Sequence, residues 1–241
     1  MFRYAIFDFD GTLGDTIDLW NKVDVELATE LGYPGLDSRE CHTFREAALR
    51  RYKNQENPYR CYCGDFAKRI GCSLSAEEVH ARRYRISRRM LREDVRLREG
   101  AAAALKRIKS LGLRMAVATT TRRANIEIYC RQNQNILDEI HLDEVFEHFV
   151  CAEDVRNIKP DPECYLKAID YLGLPAEAIF AVEDTLSGVE AAAQAVREMS
   201  IASKQAIAVS FFIVSSPSVE WDHCTIKKPG NSVASATFPG F

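Results

Sequence analysis

The chain has 241 residues, of which 46% are hydrophobic and 28% are charged, and its formal net charge is −3. This balance excludes a wholly disordered chain, a collagen-like chain and a basic protein that coats nucleic acid. The longest nearly apolar run, residues 206–214, is too short for a bilayer, which requires roughly 20 residues. We therefore expect one large domain or one domain with an insert, with neither nucleic acid nor membrane as a partner.

The eight cysteines contain no CxxC pair and no Cys/His spacing typical of zinc. The chain opens MFRYAIFDFD, which is not the pattern of a signal peptide. We therefore expect reduced thiols and a cytoplasmic protein. The sequence does not separate a monomer from a homodimer.

The first predicted element is a short buried strand over residues 4–7, which ends at the turn-forming residues 8–12. Asp15 or Thr16 is expected to cap a helix that continues to about Leu31. Residues 37–98 have a helical pattern, and from 39 to 98 they hold 16 Lys and Arg against eight Asp and Glu. This basic stretch is either a solvated helix face or a positive surface that attracts an anionic substrate.

From residue 101 onward, helices and strands alternate. Strands are predicted over residues 113–119, 149–152 and 179–182, and helices over 101–111, 123–148, 161–172 and 186–198. Such alternation predicts an α/β fold, with a Rossmann-like parallel sheet that carries helices on both faces.

Polar residues follow the predicted strands, at the sheet edge where α/β proteins bind ligands. Each group alone is more typical of turns and helix caps, and Thr121 in particular is expected to cap a helix. Together the carboxylates would repel one another unless a cation neutralised them, and Mg²⁺ suits such oxygen ligands. Lysine and threonine beside them suit a phosphoryl group. The groups are Asp8 with Asp10, Thr119 to Thr121, Lys159 just before the helix that begins near Pro160, and Glu183 with Asp184.

In this order, the segments resemble the four motifs of the haloacid dehalogenase superfamily, and the likeness runs through residues 3–195. The segments are Asp8-Phe-Asp-Gly-Thr-Leu13, then Thr119, then Lys159-Pro-Asp-Pro162, then Glu183-Asp-Thr-Leu-Ser-Gly188. The resemblance implies a phosphatase similar to phosphoglycolate phosphatases, with a Rossmann-like core and an inserted α-helical cap.

The resemblance also implies a role for each motif residue. Asp8 would attack phosphorus to form an aspartyl-phosphate, and Asp10 would act as general acid and then as general base. Thr119, Thr120, Gly11 and Lys159 would bind the phosphoryl group. The Mg²⁺ ligands would be Asp8, the Asp10 carbonyl, Asp184 and, directly or through water, Glu183.

Two departures from the sugar-phosphate mutases of this superfamily favour a hydrolase. The mutases usually carry a histidine twelve residues beyond the nucleophile, where this chain has Trp20, and they tend to lack the threonine that Thr12 supplies. We expect a Mg²⁺-dependent phosphatase that acts on a small phosphorylated metabolite. The alternatives are a phosphomutase or phosphotransferase with the same covalent intermediate, and a non-catalytic binder with an inherited site.

The 110 residues from 9 to 118 are long enough to contain a helical cap. We expect residues 1–15 and 97–241 to form the catalytic core and residues 16–96 to form the cap. Closure of a cap would exclude water from the site. The cap arginines Arg82, Arg83, Arg88 and Arg89 are a hypothesised steering surface for an anionic substrate.

Residues 199–241 differ in composition from the rest, with only five charged residues among 43 and eight of the fourteen serines. Near residue 195 the resemblance to the superfamily fades. The tail is either a diverged ending in which residues 207–214 still supply a sheet strand, or out-of-frame or otherwise foreign sequence that leaves the core incomplete.

Overall fold

The computed structural model describes residues 3–52, 54–173 and 179–203, together with three later strands. Side chains are described as far as Met199. The chain divides into two compact units: Met1–Asp15 with Arg96–Phe241, and Thr16–Val95. Each unit is described separately below.

The first unit is built on a sheet whose strand order is β3-β2-β1-β4-β5-β6-β7. Neighbouring strands are parallel from β3 through to β5, whereas β6 and β7 pair in the antiparallel sense. The strands are β1 (Tyr4–Phe7), β2 (Arg114–Ala118), β3 (His148–Val150), β4 (Ile179–Glu183), β5 (Ser210–Ile213), β6 (Cys224–Lys227) and β7 (Val233–Ala236). The central position of β1 places the residues that follow it between the ends of β2 and β4.

Alternation along β1 divides the core between the two faces of the sheet. Tyr4 and Ile6 lie in a buried cluster with side chains of the two helices at Glu163–Leu172 and Leu186–Ser203, whereas the Phe7 ring contacts Phe146 and Phe180 on the other side. This is the two-faced burial typical of parallel sheets. The helices of this unit are α5 (Ala101–Ser110), α6 (Arg123–Arg131), α7 (Gln134–Leu137), α8 (Leu142–Val145), α9 (Glu163–Leu172) and α10 (Leu186–Ser203).

The second unit consists of four helices: α1 (Leu19–Glu30), α2 (Ser38–Arg51), α3 (Pro58–Arg69) and α4 (Ala76–Glu93). A capping box starts α4, in which the Ser75 hydroxyl accepts from the Glu78 amide and the Glu78 carboxylate accepts from the Ser75 amide. Apolar side chains on the inner helix faces fill the core of the unit, among them Val23, Leu27, Phe66 and Ile86.

A buried ion cluster lies among these apolar side chains. The Asp24 carboxylate pairs with Arg45 and accepts a 2.7 Å hydrogen bond from Arg83 Nε. Rings of Trp20, Tyr59 and Tyr62 lie within 5.1–5.6 Å of the Arg83 guanidinium carbon. Two arginines on one carboxylate leave a net positive charge, which the aromatic faces partly offset.

The expected α/β fold, with a parallel sheet and helices on both faces, is confirmed, and the antiparallel pair β6–β7 adds to it. The prediction that Asp15 or Thr16 caps the first helix is wrong, because α1 starts after Asp18 and has no side-chain cap. β5 lies within the segment expected to supply a strand and pairs in parallel with β4. Among the described helices, none is long and apolar enough to cross a membrane.

Candidate active site

The ends of β1, β2 and β4 bring the predicted site residues to one edge of the sheet. Asp8 follows β1 directly, its amide donates to the Val182 carbonyl at 3.0 Å, and its side chain is buried. Thr119 follows β2, and Glu183 is the last residue of β4; both are buried. Register alone therefore gathers groups that lie more than 100 residues apart in sequence.

Lys159 bridges Asp8, which follows β1, and Glu183 at the end of β4. Its ammonium donates 2.6 Å hydrogen bonds to Asp8 Oδ1 and to Glu183 Oε1, and a 2.9 Å hydrogen bond to the Ala118 carbonyl. The Lys159 side chain is only 5% exposed, so its charge acts in a poorly screened environment. The three partners hold the ammonium at a fixed point beside the proposed nucleophile.

Burial shifts the pKa values of these groups. Burial raises the pKa of Asp8 to about 8; the Lys159 charge opposes this rise, and the charges of Glu183 and Asp10 add to it. Burial would lower the pKa of Lys159, but Asp8 and Glu183 raise it above its usual value. The pKa of Asp184 is also raised, chiefly by burial. Ionising all the carboxylates thus requires more positive charge than Lys159 alone supplies.

Asp184 is held against the turn that follows β1. Its Oδ1 accepts a 3.0 Å hydrogen bond from the Thr12 hydroxyl, and Thr12 is fully buried. Gly11 has φ +86°, and a Cβ on it would overlap the Asp184 carboxylate, so glycine is needed for both backbone conformation and space. The Gly11 amide donates to the Gly14 carbonyl at 2.9 Å, and its carbonyl accepts from Arg98 at 2.8 Å.

Glu183 is surrounded by donors from three elements. Its Oε1 accepts from Lys159 and from the Tyr165 hydroxyl at 2.7 Å, while its Oε2 accepts from the Thr185 hydroxyl at 3.2 Å. Tyr165 lies on α9 and is buried, and its ring faces the Lys159 ammonium at 5.2 Å. Glu183 therefore fixes Lys159 as well as adding negative charge.

Asp10 lies one residue beyond Phe9 and is half-buried. Its Oδ2 accepts a hydrogen bond from the Thr121 hydroxyl, and its Oδ1 accepts one of 3.2 Å from the Tyr129 hydroxyl. The expectation that Thr121 caps the next helix is wrong, because Arg122 occupies the N-cap position of α6. The Thr121 amide donates to the Thr119 hydroxyl at 3.1 Å, and Thr120 is exposed between them.

The donor set fits a hard divalent cation. Carboxylate oxygens of Asp8, Glu183 and Asp184 lie within 4.8 Å of one another. With the Lys159 ammonium, these four groups sum to a charge of −2 when ionised, and oxygen-only donors of this kind are those that Mg²⁺ prefers. A cation here would also offset the burial that raises the pKa of Asp8.

Four further residues contribute to the site although the sequence predicts no role for them there: Thr12, Arg98, Tyr129 and Tyr165. Tyr129 and Tyr165 carry a usable signal, because a tyrosine on the buried face of a helix needs a partner for its hydroxyl. Thr12 distinguishes classes of enzyme in the sequence but has no predicted place at the site. Arg98 is predicted only as part of the basic stretch.

Comparison with protein families gives one match over most of the chain: the model of haloacid dehalogenase-like hydrolases matches residues 5–201. Among curated proteins, the chain is 31% identical over 201 residues to a protein of Thermotoga maritima named phosphorylated carbohydrates phosphatase. That alignment covers 79% of this chain and 80% of the relative.

Solved structures give the same fold. A candidate beta-phosphoglucomutase from Thermotoga maritima has a TM-score of 0.65 and 27% identity, with 80% of this chain and 81% of that chain covered. A mutant of CbbY from Rhodobacter sphaeroides, crystallised with xylulose-1,5-bisphosphate, has a TM-score of 0.59 and 25% identity. Its alignment covers 89% of this chain and 88% of that chain.

Proposed function

Because the chain belongs to the haloacid dehalogenase-like hydrolase family, we propose that it is a Mg²⁺-dependent phosphatase that acts on a small phosphorylated sugar through an aspartyl-phosphate. The coarser expectation, an enzyme of the phosphoric monoester hydrolase class, is confirmed by this family match and by a relative named as a phosphatase. What we propose beyond this class is the dependence on Mg²⁺, the aspartyl-phosphate intermediate and the sugar phosphate substrate.

The observation that carries the proposal is the pairing of Asp8 and Asp10 in different surroundings. Asp8 is buried, with one oxygen on Lys159, while Asp10 is half-buried and accepts from two hydroxyls. Different surroundings let two carboxyl groups take different roles, one as nucleophile and one as proton carrier. Only Phe9 separates the two residues in the sequence, and we propose that both act on a single phosphoryl group.

In the first half-reaction, an Asp8 oxygen attacks phosphorus and the bond from phosphorus to the ester oxygen breaks. Asp10 donates its proton to that oxygen, which leaves as an alcohol. In the second half-reaction, Asp10 takes a proton from water while the water oxygen attacks phosphorus, which frees Asp8 and inorganic phosphate. Asp10 thereby regains the proton that it lost.

The remaining residues bind and orient the phosphoryl group. The Lys159 ammonium lies 2.6 Å from Asp8 Oδ1 and would pair with the transferring oxygens. We assign the Thr119 hydroxyl and Thr120 to the same oxygens. Asp8, Asp184, the Asp10 carbonyl and Glu183, directly or through water, would hold Mg²⁺, which when bound supplies charge neutralisation for the phosphoryl oxygens.

The substrate class rests on the relatives. One is named for phosphorylated carbohydrates, and a solved relative contains a sugar bisphosphate. We extend this class to the present chain and propose that the helical unit, Thr16–Val95, acts as the cap that selects the sugar. Phosphoglycolate remains a useful member of the substrate panel.

Mutase activity is the second candidate, favoured by the likeness to a candidate beta-phosphoglucomutase. Trp20 argues against it, because an indole that packs near Arg83 at 5.6 Å offers no acid–base group. A hydrolase releases inorganic phosphate, whereas a mutase returns an isomeric sugar phosphate. Phosphorus NMR of each reaction mixture distinguishes the two products.

The test is a panel of sugar phosphates and phosphoglycolate, with Mg²⁺ present, in which released phosphate is measured. Wild-type protein should hydrolyse at least one sugar phosphate, and Asp8→Asn should abolish that hydrolysis with the fold retained. Gly112→Ala, which lies after α5 and outside the site, is the matched control and should keep the activity. Turnover that persists in Asp8→Asn, or that needs no divalent cation, would refute the proposal.

A further inference from the structure

Tyr129 connects its own helix, α6, to the segment after β1 that carries Asp8 and Asp10. It lies on the buried face of α6, and only 1% of it is exposed. Its ring stacks on Phe9, with centroids 4.7 Å apart and an interplanar angle of 13°. Since Phe9 lies between Asp8 and Asp10 in the sequence, this stacking fixes the ring against the backbone that carries both carboxylates.

The Tyr129 hydroxyl donates to Asp10 Oδ1 at 3.2 Å. Burial and the Asp10 charge raise the pKa of Tyr129 well above its usual value, so the hydroxyl stays a donor at neutral pH. A buried phenol needs such a partner, since an unpaired buried hydroxyl gives up its hydrogen bonds to water without replacing them. The contact therefore constrains both side chains.

The second Asp10 oxygen accepts a hydrogen bond from a residue just before α6. The Thr121 hydroxyl donates to Oδ2, and the Thr121 amide is fixed by its hydrogen bond to Thr119. Donors on both oxygens restrict the rotation of a carboxyl group more than a donor on one oxygen does. Small displacements of a reacting group can reduce a rate by about 100-fold.

We propose that Tyr129 is a positioning residue that orients Asp10 for proton transfer to the leaving oxygen. This inference rests on the proposed function. It has a specific consequence for leaving groups, because an alkoxide departs only with a proton, whereas p-nitrophenolate is stable without one. Loss of the Tyr129 hydroxyl should therefore impair alkyl phosphates more than p-nitrophenyl phosphate.

The experiment compares kcat/KM for p-nitrophenyl phosphate and for glycerol 2-phosphate in wild type and Tyr129→Phe, with Mg²⁺ present. This parameter reports the steps up to departure of the leaving group, whereas kcat also includes hydrolysis of the intermediate, which both substrates share. We expect the ratio of the two kcat/KM values to rise about tenfold or more in favour of p-nitrophenyl phosphate. Asp10→Asn should set the upper limit of this rise.

Tyr165→Phe is the matched control, since it removes one buried hydroxyl that bonds to Glu183 rather than to Asp10. It should lower both kcat/KM values by the same factor and leave the ratio unchanged. Should Tyr129→Phe fail to fold by circular dichroism, Thr121→Val removes the other donor and should raise the same ratio.

A ratio within about twofold of wild type in folded Tyr129→Phe, or an equal rise in Tyr165→Phe, would overturn the positioning role. Absence of hydrolysis of every ester by wild type would instead overturn the proposed function. The two failures are therefore distinguishable.

Discussion

Gly188 lies so close to Glu183 that a Cβ on Gly188 would overlap the Glu183 carboxylate. Glu183 ends β4 and Gly188 lies in the first turn of α10, so the helix approaches the strand end only because no side chain intervenes. Gly11 serves Asp184 in the same way. Two glycines thus leave the space that the Glu183 and Asp184 carboxylates occupy.

The first prediction concerns Gly188→Ala. The added methyl group must displace the Glu183 carboxylate and with it Lys159, so we expect at least a tenfold loss of p-nitrophenyl phosphatase activity. The free energy of unfolding should fall by about 1–3 kcal/mol, as for other overpacked sites. Activity assays and urea denaturation measure the two effects.

The control is Gly112→Ala, where φ is +77° and nothing lies within 4 Å of the added Cβ. It carries the strain of a left-handed residue, about 1–2 kcal/mol, without touching the site. Equal losses of activity in both variants would contradict a specific role for Gly188.

The second prediction is that stabilisation by Mg²⁺ increases with pH. Burial raises the pKa of Asp8 from 3.8 to about 8 in the folded chain. Without a cation, the free energy of unfolding therefore decreases as the pH rises between these two values. Mg²⁺ binds the ionised carboxylate and reverses that loss. The rise in Tm on adding Mg²⁺ should therefore be larger at about pH 8 than at about pH 6.

Scanning calorimetry with and without Mg²⁺ measures this rise. Asp8→Asn removes the titrating group, so its Tm increment should be small and nearly independent of pH. An increment that is equal at both pH values in wild type would contradict the assigned charge state of Asp8.

The third prediction concerns the buried ion cluster of the helical unit. Asp24→Asn leaves Arg45 and Arg83 without their shared carboxylate in a buried site, which should cost about 3–5 kcal/mol of unfolding free energy. Glu77→Gln is the matched control, because the Arg60–Glu77 pair is exposed and should be worth less than about 1 kcal/mol. Urea denaturation that gives similar losses for both variants would refute the structural role of Asp24.

The fourth prediction revises the steering hypothesis for the cap arginines. Arg82 and Arg89 pair with Glu30 and Glu26 of α1, and Arg83 is buried. Residues 16–95 hold 15 Lys and Arg against 13 Asp and Glu, so the acidic α1 largely offsets the basic α4. These pairs favour the solvated helix face over a steering surface.

We therefore expect Arg82→Gln with Arg88→Gln and Arg89→Gln to change KM less than about twofold, at low and at physiological salt. Arg83 stays in place because its removal would disturb the core. A raised KM whose salt dependence is weakened would restore the steering hypothesis.

The sequence was sufficient for the parts of the site that depend on strand ends. Asp8, Thr119 and Glu183 could be placed together because a parallel sheet aligns the carboxyl ends of its strands. The alternation of predicted strands and helices from residue 101 onward was sufficient for the fold class.

Contacts between side chains on separate elements could not be read from the sequence. Tyr129 reaches Asp10 across 119 positions, and this depends on how α6 packs beside β1. Likewise, the sequence of α4 does not show that Arg83 is buried. Its burial depends on the contact with Asp24, which lies on a separate helix, α1. The prediction of one helix over residues 123–148 is wrong, because that stretch contains α6, α7, α8 and the start of β3. The start of α9 also differs from the prediction, since the helix begins at Glu163 after Pro162 rather than at Asp161.

The most direct test of the central claim uses Asp10→Asn with p-nitrophenyl phosphate and Mg²⁺. The leaving group needs no proton, so Asp8 should become phosphorylated, while hydrolysis should stall without the general base. We predict a burst of one p-nitrophenolate per chain and a phosphoryl group located on Asp8 by mass spectrometry. The double variant that carries both Asp8→Asn and Asp10→Asn should show neither. A phosphoryl group on another residue, or turnover by Asp10→Asn without a phosphorylated chain, would contradict the account.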